Sequence, residues 1–494
     1  MDGAREKFHV MQLAVRTRSH PRAVCGQLAV AACLALGAWS APLARSAAPA
    51  VAPVEVGVET EEWPETGLAP LPEDWPADSP TPVGSCTDCP PDAHHRSTDR
   101  FRVDYDGGFA ILPVAPGATP FSLTIRNQNM FRYDGFARAE PSWTDSAGNV
   151  LPINNSNYFG IPRGRLIFAG NCLLPNLSYL LNIDYNSVTS QPIGFRAFWL
   201  SYRFSDAVEL YVGQSKVPGS REWIESAFAP LQSADRTMAT TFFRPSLSQG
   251  VWVTGTPLDD VHYHAMVSNG FNTLNLQPEA LNNRFAWSGS AWWEPWGDFG
   301  RGYSDLQHHS EPVVRLGSCY TYALGSGSQS ASDAVENSPV RLSDGTIITT
   351  PNALAPGVTL TSYDISLAAL DAAWKYRGLG LSTEIYFQDL LGLRGTGPLP
   401  FASTSAFGGF IKGGVFLVPR ETEVYARSSF VTGAYGSGSE LGGGFNRFLI
   451  PGKDNLFFTF DAAWLEHSPA GQNRTGFVAG QTGLLIRTQL VAAY

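Results

Sequence analysis

Charge is scarce in this chain. Asp, Glu, Lys and Arg make up 16% of its 494 residues, against roughly 25% in an ordinary soluble domain. Long apolar runs are missing as well. Beyond the first 50 residues no stretch approaches the ~20 apolar residues that a membrane helix needs, which excludes a helical transporter. There is no positive balance: 34 bases stand against 44 acids, for a formal charge of −10. A net negative chain is a poor partner for nucleic acid, so none is expected. Cysteine is sparse, with six residues. The single Cys-x-x-C, Cys86 and Cys89, has no second pair at metal-site spacing, although His94 and His95 lie close by. A local disulfide, a redox pair and a metal site all stay open for it. No Ser/His/Asp set, phosphate-cradling loop or paired-carboxylate signature is present. The chain therefore reads as a non-enzyme, and no cofactor is called for.

Aromatic residues (12%) and glycine (49 residues) are plentiful, and apolar residues reach 44%. That is ample surface to bury, which argues against wholesale disorder. Charge is also unevenly spread. Residues 1–48 carry six bases and two acids, while residues 49–100 carry two bases and eleven acids. The first segment reads as an export signal. Arg5, Lys7, Arg16, Arg18 and Arg22 precede a mostly apolar run from Ala23 to Trp39, and small residues follow. Cleavage is expected between Ala44 and Ala50. A membrane anchor and lipidation at Cys33 are the alternatives. Residues 49–100, with nine prolines from Val51 onward and no periodic apolar pattern, read as an extended acidic linker.

From Phe121 the chain changes character. Segments of about ten residues alternate apolar with polar, as strands with two unlike faces must. Leu177, Tyr179, Leu181, Ile183 and Tyr185 flank Ser178, Asn182 and Asp184. Leu456, Phe458, Phe460, Ala462 and Trp464 flank Thr459 and Asp461. In the last segment Leu484, Ile486 and Leu490 oppose Arg487 and Gln489, and the chain stops on Tyr494. Such an end is similar to the closing strand of bacterial outer-membrane barrels. Sixteen strands are expected, starting near Phe121, Arg163, Leu177, Phe195, Ala207, Gln249, Val261, Asn283, Pro312, Thr361, Leu379, Ala406, Thr422, Glu440, Asn455 and Gly483. Connections after even strands are expected to be short turns, and those after odd strands longer loops. The segment 296–311 breaks that rule by its length. Trp292, Trp293 and Trp296 read as an interfacial aromatic girdle. A secreted β-sandwich is the soluble alternative.

The third long loop, near residues 215–248, holds the most specific stretches: Gly213-Gln214-Ser215-Lys216-Val217-Pro218-Gly219-Ser220-Arg221-Glu222, Asp235-Arg236-Thr237, Phe243-Arg244-Pro245 and Gly250-Val251. They resemble the G-x-x-K-x-P-x-S-x-E, D/E-R-S and G-V segments of the phosphate-selective porin O and P family, with Thr237 where that family has Ser. The Arg163-to-Gly170 strand and the entry Asp106-Gly107-Gly108-Phe109 resemble it too. The likeness covers about residues 101–494. It implies an all-β, sixteen-stranded transmembrane barrel of the bacterial outer membrane, with an inward-folded third loop. It also implies a homotrimer set in outer-membrane lipid, passing small hydrophilic solutes or anions.

Strand parity puts Arg126, Arg163, Arg165, Arg203, Arg284, Arg315, Lys375, Lys412, Arg427 and Arg487 inward. Facing them are Asp184, Glu209, Asp371, Glu384, Glu423 and Asp461. Charge facing lipid costs roughly 2–4 kcal/mol for Arg or Lys at the midplane, so these belong in the lumen. The third loop adds Lys216, Arg221, Asp235, Arg236 and Arg244. The constriction is therefore expected at these loop residues together with Arg163, Arg165, Arg203, Arg284 and Arg315, with Arg236 and Arg244 wet and touching solute. A mild anion preference follows from the positive excess. His262 and His264 share a face and read as lumen histidines rather than metal ligands. Two other functions compete: a structural barrel anchoring the envelope through its acidic arm, and a secreted carbohydrate-binding protein.

Overall fold

The computed structural model describes residues 101–105, 108–114, 121–190, 192–326 and 336–494. The export signal, the acidic linker (49–100) and Cys86 with Cys89 lie outside the described residues. Sixteen antiparallel strands form the wall: β1 (Leu123–Arg138), β2 (Ser156–Asn171), β3 (Leu177–Tyr185), β4 (Ile193–Ser205), β5 (Val208–Lys216), β6 (Leu247–Leu258), β7 (Val261–Ser268) and β8 (Ala286–Trp293). The circuit continues with β9 (Val313–Ser326), β10 (Thr359–Tyr376), β11 (Leu379–Thr396), β12 (Thr404–Val418), β13 (Thr422–Gly433), β14 (Gly436–Phe448), β15 (Leu456–Glu466) and β16 (Gly483–Ala493). Each strand pairs with the next, and β16 returns to β1, Gly483 opposite Arg138 and Ala493 opposite Gln128. Closure leaves no unpaired edge, which is what a sheet needs in order to sit in lipid. It also excludes the sandwich alternative. Every expected start falls within seven residues of an observed one.

The pleat sorts the side chains. Phe131, Leu200, Phe204, Trp287, Leu381, Leu441 and Trp464 stand exposed on the outside. Arg132, Arg163, Asp461, Arg487 and Gln489 are buried on the inside. The wall is uneven in height. β10 and β11 have 18 residues each, β7 and β8 eight each, where about 9–11 suffice to cross a bilayer. At one end the connections are short: 172–176, 206–207, 259–260, 377–378, 419–421 and 449–455. Arg377 and Gly378 both hold positive φ (48° and 83°), the two-residue turn whose twist matches an antiparallel pair.

Two expectations need correction, and a further element precedes the barrel wall. Phe101–Tyr105 and Phe109–Pro113 form a hairpin, whose Phe109, Ala110 and Ile111 pair with Ile125, Thr124 and Leu123 beyond the end of β16. The long connection 294–312 after β8 is not a misplaced boundary. It enters the lumen, and Phe299, Tyr303, Ser304 and Asp305 are fully buried. Trp292 is not a girdle residue. It faces inward, stacked on His262 at 5.1 Å with the Arg315 guanidinium 4.5 Å above its ring.

Candidate functional site: the charged lumen

The connection from Val217 to Ser246 folds inward, as expected for the third loop. It carries two short helices, α1 (Arg221–Ile224) and α2 (Met238–Phe243). Ser220 caps α1 by accepting from the Trp223 N–H (3.3 Å), and Thr237 caps α2 by accepting from the Thr240 N–H (3.4 Å). Thr at 237 thus does what Ser would do there. Its hydroxyl also donates to Glu222 (2.8 Å).

Most of the loop's bases hold the loop itself. Lys216 Nζ donates to the carbonyls of Trp223, Ile224 and Glu225 at 2.7–2.9 Å, ending α1 as an intrinsic counter-charge. Arg236 donates to the carbonyls of Glu222 (3.1 Å) and Glu225 (3.0 Å). Arg221 lies over the rings of Phe299 and Tyr303 and donates to the Gly302 carbonyl (3.1 Å). The expectation that Arg236 and Arg244 are wet is therefore overturned: both are buried, because the loop packs onto the wall rather than arching across free water.

Acidic groups pin the loop to the wall. Glu222 takes a 2.5 Å hydrogen bond from Lys412 of β12. Burial pushes its carboxyl up, but Lys412 together with hydrogen bonds from Thr240 and Thr237 holds it below the usual range. Asp235 accepts from Arg132 of β1 (2.9 Å) and from Arg163 of β2. Burial opposes its charge, yet Arg163, Arg132 and Arg236 together hold it well below the ordinary carboxylate value. Met238 N–H donates to Glu440 (2.8 Å), so β14 meets the start of α2.

Two more loops close over this layer. Glu336, between β9 and β10, pairs with Arg244 (3.3 Å), Arg474 (3.3 Å) and Arg163 (3.6 Å). Arg474, between β15 and β16, also pairs with Asp184 of β3. Arg165 lies 3.7 Å from that same Asp184. The result is a buried cluster in which seven guanidiniums (Arg132, Arg163, Arg165, Arg196, Arg236, Arg244, Arg474) face four carboxylates (Asp134, Asp184, Asp235, Glu336). Donors are left over. Nε and Nη2 of Arg163 and Arg165, Nε of Arg196 and all three nitrogens of Arg244 make no hydrogen bond. Burial lowers the Arg244 guanidinium to about 10, with Glu336 opposing.

From the opposite end the 294–312 turn meets the loop. Tyr303 N–H donates to the Pro230 carbonyl (2.9 Å), and its hydroxyl donates to Glu384 (2.9 Å). Ser304 reaches Glu423 (2.6 Å) and Lys375 holds the carbonyls of Phe299 and Arg301. Gly302 has φ +66°, and a Cβ there would come 2.9 Å from the Pro230 carbonyl, so the approach needs glycine.

The expected site residues thus divide. Arg163, Arg165, Lys216, Arg221, Asp235, Arg236 and Arg244 gather in the loop layer. Arg315 is elsewhere on the wall, paired with Glu294 (3.3 Å). Arg203 sits at the turn end, 60% exposed beside Glu209. Arg284 is not on a strand at all. β8 starts two residues later, and Arg284 lies in the preceding loop, 55% exposed and paired with Asp364. Arg132, Arg196, Glu336 and Arg474 were missed. Arg132 shares the parity of Arg126 and was legible. Arg196 was hidden by a bulge opposite Asn182 and Ile183, which changes strand parity. Glu336 and Arg474 lie in loops, where no periodicity speaks. His262 and His264 face the lumen as expected, and among the described residues no His/Cys/Asp/Glu group could hold a metal.

No family model and no curated protein matches the chain. Solved structures similar to it include an anion-selective porin from Comamonas acidovorans, 10% identical at TM-score 0.48, covering 75% of this chain and 99% of that one. OprB of Pseudomonas putida is 10% identical at 0.45, covering 75% and 94%. The outer membrane channel DcaP of Acinetobacter baumannii is 7% identical at 0.44, covering 75% and 97%. Likenesses this distant assign no function, which has to come from the barrel itself.

Proposed function

We propose that this chain is an outer-membrane porin for passive diffusion of small hydrophilic solutes, with a mild preference for anions. The observation that carries the reading is the sorting of charge by a closed wall: apolar side chains outside, charged ones inside, and at the third-loop cluster a local guanidinium excess with unused N–H donors. Fixed positive charge in a low-dielectric enclosure raises the local concentration of anions and lowers their entry barrier. Arg163, Arg165 and Arg244, buried under the loops, act on an anion through their fixed charge rather than by contact. Lys216, Arg221, Asp235 and Arg236 hold the loop that shapes the constriction. The resemblance to the phosphate-selective porin O and P family supports phosphate-like anions among the solutes, and supports a homotrimer. The basic, apolar leader supports export to the outer membrane.

Planar-bilayer recording tests this. The folded barrel should conduct without any energy source. In a salt gradient its zero-current potential should show anion preference that fades between 0.1 M and 1 M salt, as the screening length falls from about 10 Å to about 3 Å. A folded barrel with no conductance overturns the reading. One observation, the lumen filled from both ends, favours a structural barrel that anchors the envelope through residues 49–100. Absence of conductance is what that second reading expects.

A further inference from the structure

The lumen wall of β4–β8 is unlike the rest. Its inward side chains near the turn end are only partly covered, and they enclose a hollow of about 260 Å³. Thr254 and Thr256 of β6 lie between two walls. On one side stand Arg203, Glu209 and Tyr211; on the other stands His262. The rings are held firmly. Tyr211 stacks on Trp252 (5.2 Å, 10°), with Trp199 edge-on at 5.1 Å. His262 stacks on Trp292, and Thr256 Oγ1 fixes its Nδ1 at 3.0 Å. Because β8 lies between β7 and β9, Arg315 backs Trp292 from the side away from His262.

The charge here has the opposite sign to that of the loop layer. Arg203 stands near Asp206 (3.8 Å) and Glu209 (3.2 Å), and Arg315 near Glu294 (3.3 Å) and Asp371 (3.7 Å). At the hollow itself one base between two acids makes a poor anion site. A rigid ring face at His262, with donors and acceptors at its rim, suits a solute having an apolar face and many hydroxyls. We infer that this hollow is a binding subsite for a neutral monosaccharide, a pyranose seated on the face of the His262 ring away from Trp292, with its rim against the edge of Tyr211. Its hydroxyls would be shared among Thr254, Glu209 and Arg203. The inference deepens the porin reading by naming a solute class, but the binding itself needs no conduction.

The test is titration of the purified, detergent-folded barrel with D-glucose, followed by tryptophan fluorescence (Trp292 and Trp252 report) and by calorimetry. Saturable binding is expected near millimolar concentration, a weak transport-type affinity. Tyr211→Ala and His262→Ala should each weaken it about tenfold, the scale of one lost ring contact. Trp464→Ala, on the outer face, should leave it unchanged. Sodium benzoate, flat but anionic, should bind more weakly than glucose. The inference is overturned if the wild-type barrel gives no saturable response, if benzoate binds more tightly, or if either ring variant, shown folded by heat-modifiable gel mobility, binds glucose like the wild type. A barrel that binds glucose yet does not conduct removes the porin reading and keeps the subsite. One that conducts yet does not bind does the reverse.

Discussion

The lumen has two unlike halves. Along β9–β16, β1 and β2 the inward residues are charged, paired and buried under loops. Along β4–β8, toward the turn end, they are aromatic or hydroxylic and partly open. The first half acts as structure. Asp461 lies between Arg427 and Arg487 with no exposed surface on any of the three. Arg427 also reaches Glu440 (2.8 Å), and Asp461 accepts from the Tyr425 hydroxyl (3.0 Å). Charges removed from water this completely stand only because each is answered. The second half holds its rings by stacking and leaves its polar groups facing water, so it can exchange one partner for another. A wall whose charges are satisfied anchors loops. A wall whose groups are unsatisfied or solvated meets solute.

That contrast can be broken by measurement. The largest effect is expected at Asp461. Replacing it with Ala strands two buried guanidiniums and should cost about 3–5 kcal/mol of barrel stability in urea unfolding. Glu209→Ala, beside the exposed Arg203, should cost less than about 1 kcal/mol. Equal losses at the two sites would erase the distinction. Next comes the inward turn. Tyr303→Ala removes a buried ring and the bond to Glu384, a loss of about 3 kcal/mol for that contact. The turn should undock, trypsin should cut at Arg301, and single-channel conductance should rise. Unchanged protection of Arg301 would show that the turn holds without Tyr303.

Acid tests the loop anchor. Asp235 has a depressed carboxyl in the folded state, so its stabilisation is present above the ordinary value of about 3.9 and is lost as pH falls through the lower folded value. Glu222 is depressed in the same direction. The third loop should stay protease-resistant at pH 5 and loosen only in strong acid, and Asp235→Asn should be loose already at pH 7. A wild-type loop that opens at pH 5 would contradict the sign. A smaller effect is expected at Arg244, whose three nitrogens lack hydrogen-bond partners. Arg244→Gln should lower anion preference about twofold at low salt while the loop stays protected. The smallest is at Trp464, 48% exposed on the outer face. Its replacement by Ala should leave selectivity alone.

Alternation, together with the terminal aromatic and the pattern of connection lengths, pointed to the barrel. A two-residue period with charge on one face and aromatics on the other leaves few solutions, and sixteen such segments can satisfy their backbones in lipid only by closing. Hence the strand starts, the closing strand β16 and the inward Arg487 and Asp461 were legible in the residues, while the inward third loop was what the family resemblance implied. Period-two reasoning failed where the backbone departs from period two. The bulge beside Arg196 reversed parity, and a strand start three residues later than expected left Arg284 in a loop. Trp292 and Trp293 are adjacent, so one had to face in, and composition could not say which. What only tertiary structure decided is what fills the lumen. Glu336, Arg474 and Tyr303 come from segments without periodicity, and Tyr303 meets Glu384 81 residues away, Arg474 meets Glu336 138 away and Asp184 290 away. Such contacts depend on closure of the whole wall, because only then do the far sides of the barrel face one another.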